Sequence, residues 1–392
     1  MSHAPTFSIV TPSYNQAPFL AQTIESVLGQ EGDFAVEYFV MDGGSTDGSV
    51  DIIRRYADQV SEGRWAGRCA GVRMEWVSEK DGGQTCAINK GLRRATGDFA
   101  SYINSDDLFC PGAFARVARA FADQPEADFV HGDGDVIDRD GRLQWEWLSR
   151  PYNHSLMTSY HWLWNDFTNY ILQQATFWRR RVHDRIGLFD ESFNYAMDLE
   201  YWVRAGGAGL RFRHLPCKLG KFRLIAGTKS LSSPTVFWED VLEIYRRHRG
   251  SRALGWYFAY YFYNVGRHAA GDPLPALADG LKVLGRWREL PEAERQEVER
   301  QARWGRDMGC LLLAASRQGR PGDAGRLVRA ALRARPALLL RPVALACVLK
   351  RLSGQPVSAL LDSLGGRLVH WYRSVRYDYR YRRRGTLPGG GA

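Results

Sequence analysis

Strands alternating with helices through the first 110 residues predict an α/β fold built on a parallel sheet, with an α-helical region behind it. Three observations carry this. Apolar runs of five or six residues recur between amphipathic stretches, each run stops at a polar turn, and from Pro234 the pattern reads helical to the end. In order, Phe7 to Thr11 is a strand stopped by Pro12, and Pro18 to Gly29 has helical spacing at Phe19, Ile24, Val27 and Leu28. Val36 to Met41 is a second strand, closed by Asp42-Gly-Gly-Ser-Thr-Asp-Gly48; the helix after it turns Val50, Ile52, Ile53 and Tyr56 inward. Val72 to Val77 is a third strand, Gln84 to Ala95 a helix stopped by Gly97, Phe99 to Ile103 a fourth strand, and Pro111 opens a fourth helix.

Beyond this regular part, Phe129 to Val136 reads as short strands around a Gly/Asp turn. Residues 143–178 are dense in aromatics, and Leu188 to Arg204 is a loop running into a helix. Residues 305–350 look like two antiparallel helix pairs, broken at Gly319–Gly322 and Pro336. Trp371 to Arg384 alternates Tyr with Arg, and the end near 385–392 is expected to be disordered.

Composition excludes several classes. With 392 residues, 45 % hydrophobic and 24 % charged, the chain is neither disordered, collagen-like nor a small disulfide scaffold. The six cysteines, at 69, 86, 110, 217, 310 and 347, form no CxxC pair, so neither a zinc site nor a disulfide framework is expected and a reducing compartment fits. No N-terminal targeting pattern is visible. The longest apolar stretches, Trp256–Tyr263 and Ala337–Leu349, fall short of the roughly 18 residues of a spanning helix. The net charge of +10 is unevenly spread: 25 basic against 29 acidic residues up to residue 235, and 28 against 14 behind it. The basic excess therefore belongs to the rear of the chain.

In an open parallel sheet, ligands bind outside the carboxyl ends of the strands. The four turns there are Thr11-Pro-Ser-Tyr-Asn15, Asp42 to Asp47, Glu79-Lys-Asp-Gly-Gly-Gln84 and Asn104-Ser-Asp-Asp107, three of them bearing carboxylates. The first turn has no glycine, which excludes the G-x-G-x-x-G dinucleotide fingerprint, and no GxxxxGK[ST] occurs. Asp106 and Asp107 at a strand end suit a hard divalent cation bridging to a diphosphate; alternatively, one caps the following helix or solvates a turn. Asp42 before two glycines is either a base-reading carboxylate or turn chemistry.

These segments together, Ser8 to Gln16, Val40 to Gly48, Asp81 to Gln84 with Ala87 to Gly91, Gly97-Asp98 leading to Asp107, and Phe189-Asp190 leading to Asp198–Arg204, resemble inverting GT-A glycosyltransferases of family 2, of the bacterial surface-polysaccharide type. The resemblance covers roughly residues 6–235. It implies a catalytic domain at 1–235, with a nucleotide-binding half at 6–110 and an acceptor half at 111–235, and a basic helical region at 236–392. It also implies that Thr11, Pro12 and Tyr14 line a nucleobase pocket and that Asp42 accepts from the base. Asp81 and Gln84 approach the ribose or donor sugar, with Asn89 and Lys90 on the helix behind. Asn104, Ser105 and Asp106 form the metal motif followed by Asp107, with Asp106 and Asp107 the metal ligands, and Asp198 is the general base. Gln174 fits a donor or acceptor contact. The implied cofactor is Mn²⁺ or Mg²⁺, and the implied donor a nucleotide sugar, most of all a UDP-sugar.

Two departures stand out: the motif begins with Asn104 where the family has Asp, and Ile225 stands where some relatives carry a metal-proximal histidine. Lys229, Ser230 and Arg223 are left as diphosphate contacts or a solvated loop. If Met197 starts a helix, Asp198 and Glu200 point about 200° apart, so only one faces the acceptor. The aromatic segment is either an acceptor surface or a second small core. The expected acceptor is a hydroxyl of a glycan, free or lipid-linked. The Tyr/Arg tail suits an anionic membrane surface, at roughly 1 kcal/mol per basic residue, or a solvated face; nucleic acid is disfavoured. The expected place is cytoplasmic, peripheral on the inner leaflet. The C-terminal helices either form a homo-oligomer or pack on the catalytic domain. The rival readings are a sugar nucleotidyltransferase and a non-catalytic glycan-binding scaffold on a degenerate GT-A fold.

Overall fold

The computed structural model describes residues 4–65, 67–158, 170–193, 195–225, 234–269, 272–315, 324–335 and 337. They fall into two compact units, which divide in the chain between Ile244 and Tyr245.

The first unit is built on a sheet in the order β3-β2-β1-β4-β8-β6-β9-β5, with β7 paired to β6. The strands are β1 (Thr6–Ser13), β2 (Glu31–Asp42), β3 (Arg68–Ser78), β4 (Phe99–Tyr102), β5 (Leu108–Phe109), β6 (Phe129–Ile137), β7 (Leu143–Trp147), β8 (Thr176–Arg179) and β9 (Phe212–Arg223). β3, β2, β1 and β4 run parallel, as the alternation of strands and helices predicts. β8 turns antiparallel between β4 and β6, and β9 lies parallel to β6. β1 is buried from Phe7 to Ser13 because helices cover both faces of a parallel sheet. Helices α1 (Ala17–Leu28), α2 (Ser49–Ser61), α3 (Gln84–Leu92) and α4 (Ala113–Asp123) follow the first strands. Phe7 anchors one core: its ring stacks on Phe114 at 4.8 Å and meets Phe34 and Phe177 edge-on at 5.3 and 6.0 Å.

The stretch 129–136 is one strand, contrary to the expected break at a Gly/Asp turn. Its glycines serve close packing: a Cβ at Gly134 would overlap Leu172 and the Gly220 carbonyl of β9. Of the aromatic segment, Trp178 is fully buried with Phe129, Phe189, Tyr201 and Trp202 around it at 5.8–6.2 Å, a second core. Trp145 on β7 stays half exposed, and Trp162 and Trp164 lie outside the described residues.

Three further helices matter to the site. They are α5 (His154–Met157), α6 (Arg181–Ile186) and α7 (Met197–Gly207), and α8 (Pro234–Arg249) runs from the first unit into the second. The second unit is helical. There α9 (Gly255–Arg267) packs closely on α11 (Glu292–Ala315), after α10 (Pro273–Asp279) and before α12 (Ala324–Ala334). At Gly309 a Cβ would stand 2.8 Å from Phe262, so the bare backbone lets the helices approach. Among the described residues no helix is long and apolar enough to cross a membrane. The breaks expected at Gly319–Gly322 and Pro336, and the Tyr/Arg tail, lie outside the described residues.

Candidate active site

The parallel register sets the carboxyl ends of the first strands level: Ser13 pairs with Asp42, Asp42 with Ser78, and Val10 with Tyr102. The turns singled out in the sequence therefore share one edge. The first two are laced together. Asn15 bends the chain at φ 52° and donates its N–H to Ser45 Oγ at 2.8 Å; Thr46 N–H returns to Asn15 Oδ1 at 2.9 Å. Asp47 accepts from the Ala17 N–H at 2.9 Å, so it caps α1 from the neighbouring loop.

Lacing leaves Tyr14 outside, with 64 % of its surface exposed at the edge. Asp42 goes the other way. It is buried, and its carboxylate accepts from Gly44 N–H, Ser45 N–H, Ser45 Oγ and Ser78 Oγ at 2.5–3.1 Å. Both oxygens help to close the loop, Oδ2 with three donors and Oδ1 with one, which is the turn chemistry expected beside its base-reading role. Thr11 is likewise internal, accepting from the Tyr38 hydroxyl at 2.9 Å, and Pro12 is buried beside it. Asp81 is the carboxylate this edge presents. Its Oδ1 accepts from Gly83 N–H at 2.8 Å. A Cβ at Gly43 would stand 3.2 Å from Asp81 Oδ2 and 3.4 Å from the Tyr14 ring. The missing side chain thus leaves a narrow floor between an exposed ring and a carboxylate oxygen.

The acidic turn after β4 separates its two aspartates. Asp107 is fully buried; Oδ1 accepts from Arg223 N–H at 2.8 Å, and Oδ2 from Gln174 Nε2 at 2.7 Å and Asn104 Nδ2 at 3.0 Å. Burial, with Asp106 next, pushes its carboxyl well above the usual range, and the three donors pull against this. Its two oxygens take three protein donors, where the expectation was a metal ligand beside Asp106. Asp106 is half-buried, its carboxyl raised by burial and eased by the Arg223 charge; among the described residues its oxygens take no donor from another side chain. Asn104 Oδ1 accepts from Gln84 Nε2 at 2.6 Å, so Gln84, Asn104 and Asp107 form one relay of amides ending on a carboxylate. Ser105 is buried in the turn, and Gln174 is turned inward to Asp107 rather than out to a sugar.

Arg223 was expected at the surface, as a diphosphate contact or in a solvated loop, yet it is fully buried. Its guanidinium donates to the carbonyls of Asp106, Asp138 and Arg139 and to Gln22 Oε1 at 2.8–3.0 Å, over the Phe19 ring at 4.9 Å. It ties the acidic turn to α1 and to the 138–139 loop. No spacing rule marks it; its one sequence signal is a basic residue inside the apolar run from Phe222 to Ala226. Lys229 and Ser230 lie outside the described residues.

Asp198 opens α7, accepts from the Leu199 N–H at 2.7 Å and is partly exposed. The fully buried Tyr102 hydroxyl is raised well above its usual range, first by burial and then by the charges of Asp198 and Asp107. Glu200 is buried and holds Arg204 in a two-pronged pair at 2.8–2.9 Å, which leaves Asp198 as the acid of the two on the open side. Helix α3 steers the segment before it. Asn89, itself buried, donates to the Phe189 carbonyl at 2.8 Å and accepts from the Phe189 N–H at 3.1 Å, and Thr85 Oγ1 donates to the Phe193 carbonyl at 2.8 Å. Asn89 thus acts as a strut, and Lys90 pairs with Glu79 at the rim.

A family profile described as "Glycosyl transferase family 2" matches residues 8–187. The chain is 30 % identical over 203 residues to the PGL/p-HBAD biosynthesis glycosyltransferase of Mycobacterium tuberculosis, which covers 51 % of this chain and 70 % of that one. It is 26 % identical over 213 residues to the uncharacterized glycosyltransferase YwdF of Bacillus subtilis, covering 54 % and 71 %. Among solved structures, Staphylococcus aureus TarS superposes with a TM-score of 0.51 at 17 % identity over 78 % of this chain and 55 % of that one. Its 1–349 fragment in complex with UDP-GlcNAc gives 0.50 at 18 % identity, over 78 % and 90 %. The TarS likeness concerns the fold, GT-A with a helical region behind it; with the profile and the mycobacterial relative, it places this chain in family 2 of the glycosyltransferases.

Proposed function

We propose that the protein transfers a sugar from a nucleotide donor, a UDP-sugar above others, to a hydroxyl of a glycan acceptor with inversion, in the building of a cell-surface polysaccharide. The observation that carries this is the level strand edge: the register sets the turns bearing Asp42, Asp81 and Asp106 side by side, and Asn89 and Thr85 of α3 hold the segment that leads into Asp198. Inversion needs one base on the acceptor face, opposite a departing diphosphate. Asp198 takes the proton from the attacking hydroxyl, and Asn89 and Thr85 hold the segment that delivers it.

The base stacks on Tyr14 and donates an N–H to Asp81 across the floor at Gly43, the role expected earlier of Asp42. The donor groups fit a divalent cation of the Mn²⁺ or Mg²⁺ kind. Asp106, a half-buried carboxylate whose oxygens take no donor from another side chain among the described residues, would hold it, a hard oxygen ligand for a hard cation. When bound, that cation neutralises charge on the leaving diphosphate. The TarS fragment was solved in complex with UDP-GlcNAc, which supports a UDP donor here. The 28 basic against 14 acidic residues behind residue 235 support attachment to an anionic inner leaflet, where lipid-linked glycans are presented.

The test is a thermal-shift panel of UDP, GDP, CDP, ADP and dTDP, each with Mn²⁺ and with EDTA. A ligand at 100 times its dissociation constant stabilises by about 2.7 kcal/mol. UDP with Mn²⁺ is expected to stand out, and Asp198→Asn to keep that shift while losing about 10²- to 10⁴-fold in transfer. Silence across the panel would remove the donor-binding reading.

A further inference from the structure

The helix that carries Asp198 has no cap of its own. The residues that lead into it are Tyr195 and the cap position Ala196, whose own side chain accepts no hydrogen bond; within the first turn only the Leu199 N–H is taken by a local side chain, that of Asp198. The acceptor comes from elsewhere. Asp240 on α8, 97 % buried, receives the Tyr195 N–H at 2.9 Å and the Ala196 N–H at 3.4 Å on a single carboxylate oxygen. Sequence separation is 45 and 44 residues, so nothing local selects this contact. Asp240 lies far past residue 187, where the family profile ends.

We propose that Asp240 is a positioning residue for the transfer reaction: it fixes the entry of α7 and with it the direction in which Asp198 meets the acceptor hydroxyl. The physical reason is the sensitivity of proton transfer to placement, since a shift of about 1 Å in a reacting group costs on the order of 10²-fold in rate. A negative group beside a helix N-terminus is also favoured by the helix dipole, so the contact holds without a local Ser or Asp cap. Trp238, Val241 and Leu242, on the same helix as Asp240, are buried. The family reaction therefore draws one of its alignment elements from a helix outside the profile. This inference rests on Asp198 being the base.

The experiment compares wild type, Asp240→Ala, Asp240→Asn and Asp198→Asn as full chains. Hydrogen exchange is read at the Tyr195 and Ala196 amides, Mn²⁺-dependent stabilisation is read with UDP, and UDP release is followed from UDP-glucose and UDP-N-acetylglucosamine. Asp240→Ala is expected to speed exchange at both amides about tenfold or more and to lower kcat about 10- to 100-fold. UDP stabilisation should be unchanged. Asp240→Asn keeps one carbonyl acceptor and is expected to fall between. Wild-type exchange and kcat in Asp240→Ala would overturn the proposal, as would loss of UDP stabilisation together with kcat, which would mark a general collapse. Full turnover in Asp198→Asn would instead sink the base assignment, and the alignment role with it. The exchange data separate these failures.

Discussion

Replacing Asn104 with aspartate would place an acid at the first position of the motif, and the structure predicts that the protein will suffer for it. Asn104 Nδ2 stands 3.0 Å from Asp107 Oδ2 as a donor, while its Oδ1 accepts from Gln84. The variant would put a second carboxylate oxygen where the donor was. At an effective dielectric of about 20, like charges at that spacing repel by about 5 kcal/mol. The penalty has a ceiling, because one carboxyl can bind a proton instead, and protonating an ordinary aspartate at pH 7 costs about 4 kcal/mol. Burial has already pushed the Asp107 carboxyl up, which makes that proton cheaper. With the lost donor included, a net destabilisation of about 2–3 kcal/mol remains. For a unit of this size that lowers the thermal midpoint by about 4–12 °C.

The pH dependence has a definite sign. The variant pair has a raised folded pKa, so the deficit is full at neutral pH and shrinks as pH falls and a shared proton restores a donor. The assay is scanning fluorimetry in EDTA at about pH 7 and about pH 5. A midpoint within about 1 °C of wild type at neutral pH, or a deficit that widens on acidification, would refute the reasoning.

Other expectations follow from the same geometry. Asp81→Asn should weaken UDP binding by about 10-fold or more, the worth of a charged hydrogen bond, with little change in the apo midpoint, whereas Asp42→Asn should cost stability first; isothermal titration and fluorimetry together separate them. His131 is fully buried with neither ring nitrogen bonded, and burial, then His214, pushes its pKa down to about 3. A depressed folded pKa contributes stability that is present above about pH 6.5 and is lost as pH falls toward 3, up to about 4 kcal/mol; thermal midpoints of His131→Leu against pH should lose that slope, and an unchanged slope would assign the acid sensitivity to another group. Asp198→Asn and Asp240→Ala should both spare UDP binding while lowering turnover, the first more than the second.

The first four strands and their turns were readable because each is a local signal: an apolar run, a stop and a polar turn. That is why Tyr14, Asp81, Asp106 and Asp198 could be named as candidates and are found along one edge or beside it. What failed to show was direction. Asp106 and Asp107 are neighbours in sequence, yet one is held inward by Arg223, Gln174 and Asn104, partners 116, 67 and 3 residues away. Asp42 could be read as a base reader or as turn chemistry, and only the hydroxyls of Ser45 and Ser78 show how far the turn engages it. The Gly132-Asp-Gly-Asp135 run mimics a turn because those residues are turn formers; only the approach of β9 and Leu172 explains glycine at 134. Long-range partners decide these cases, and a single sequence does not display them.

The two-residue strand β5 has a consequence for protein engineering. The acidic turn begins at the end of β4, next to β1, and ends in β5, which pairs only with β9 at the opposite end of the sheet order. Residues 104–109 and 219–223 therefore form a single cassette, closed by the Leu108–Lys221 and Phe109–Gly220 pairings and by Arg223. A chimera that takes the donor half from a relative and splices after Phe109 without the matching 219–223 segment would split that cassette. A splice after Phe109 that also imports the matching 219–223 segment would carry it across whole, and so offers the better joint for exchanging donor preference.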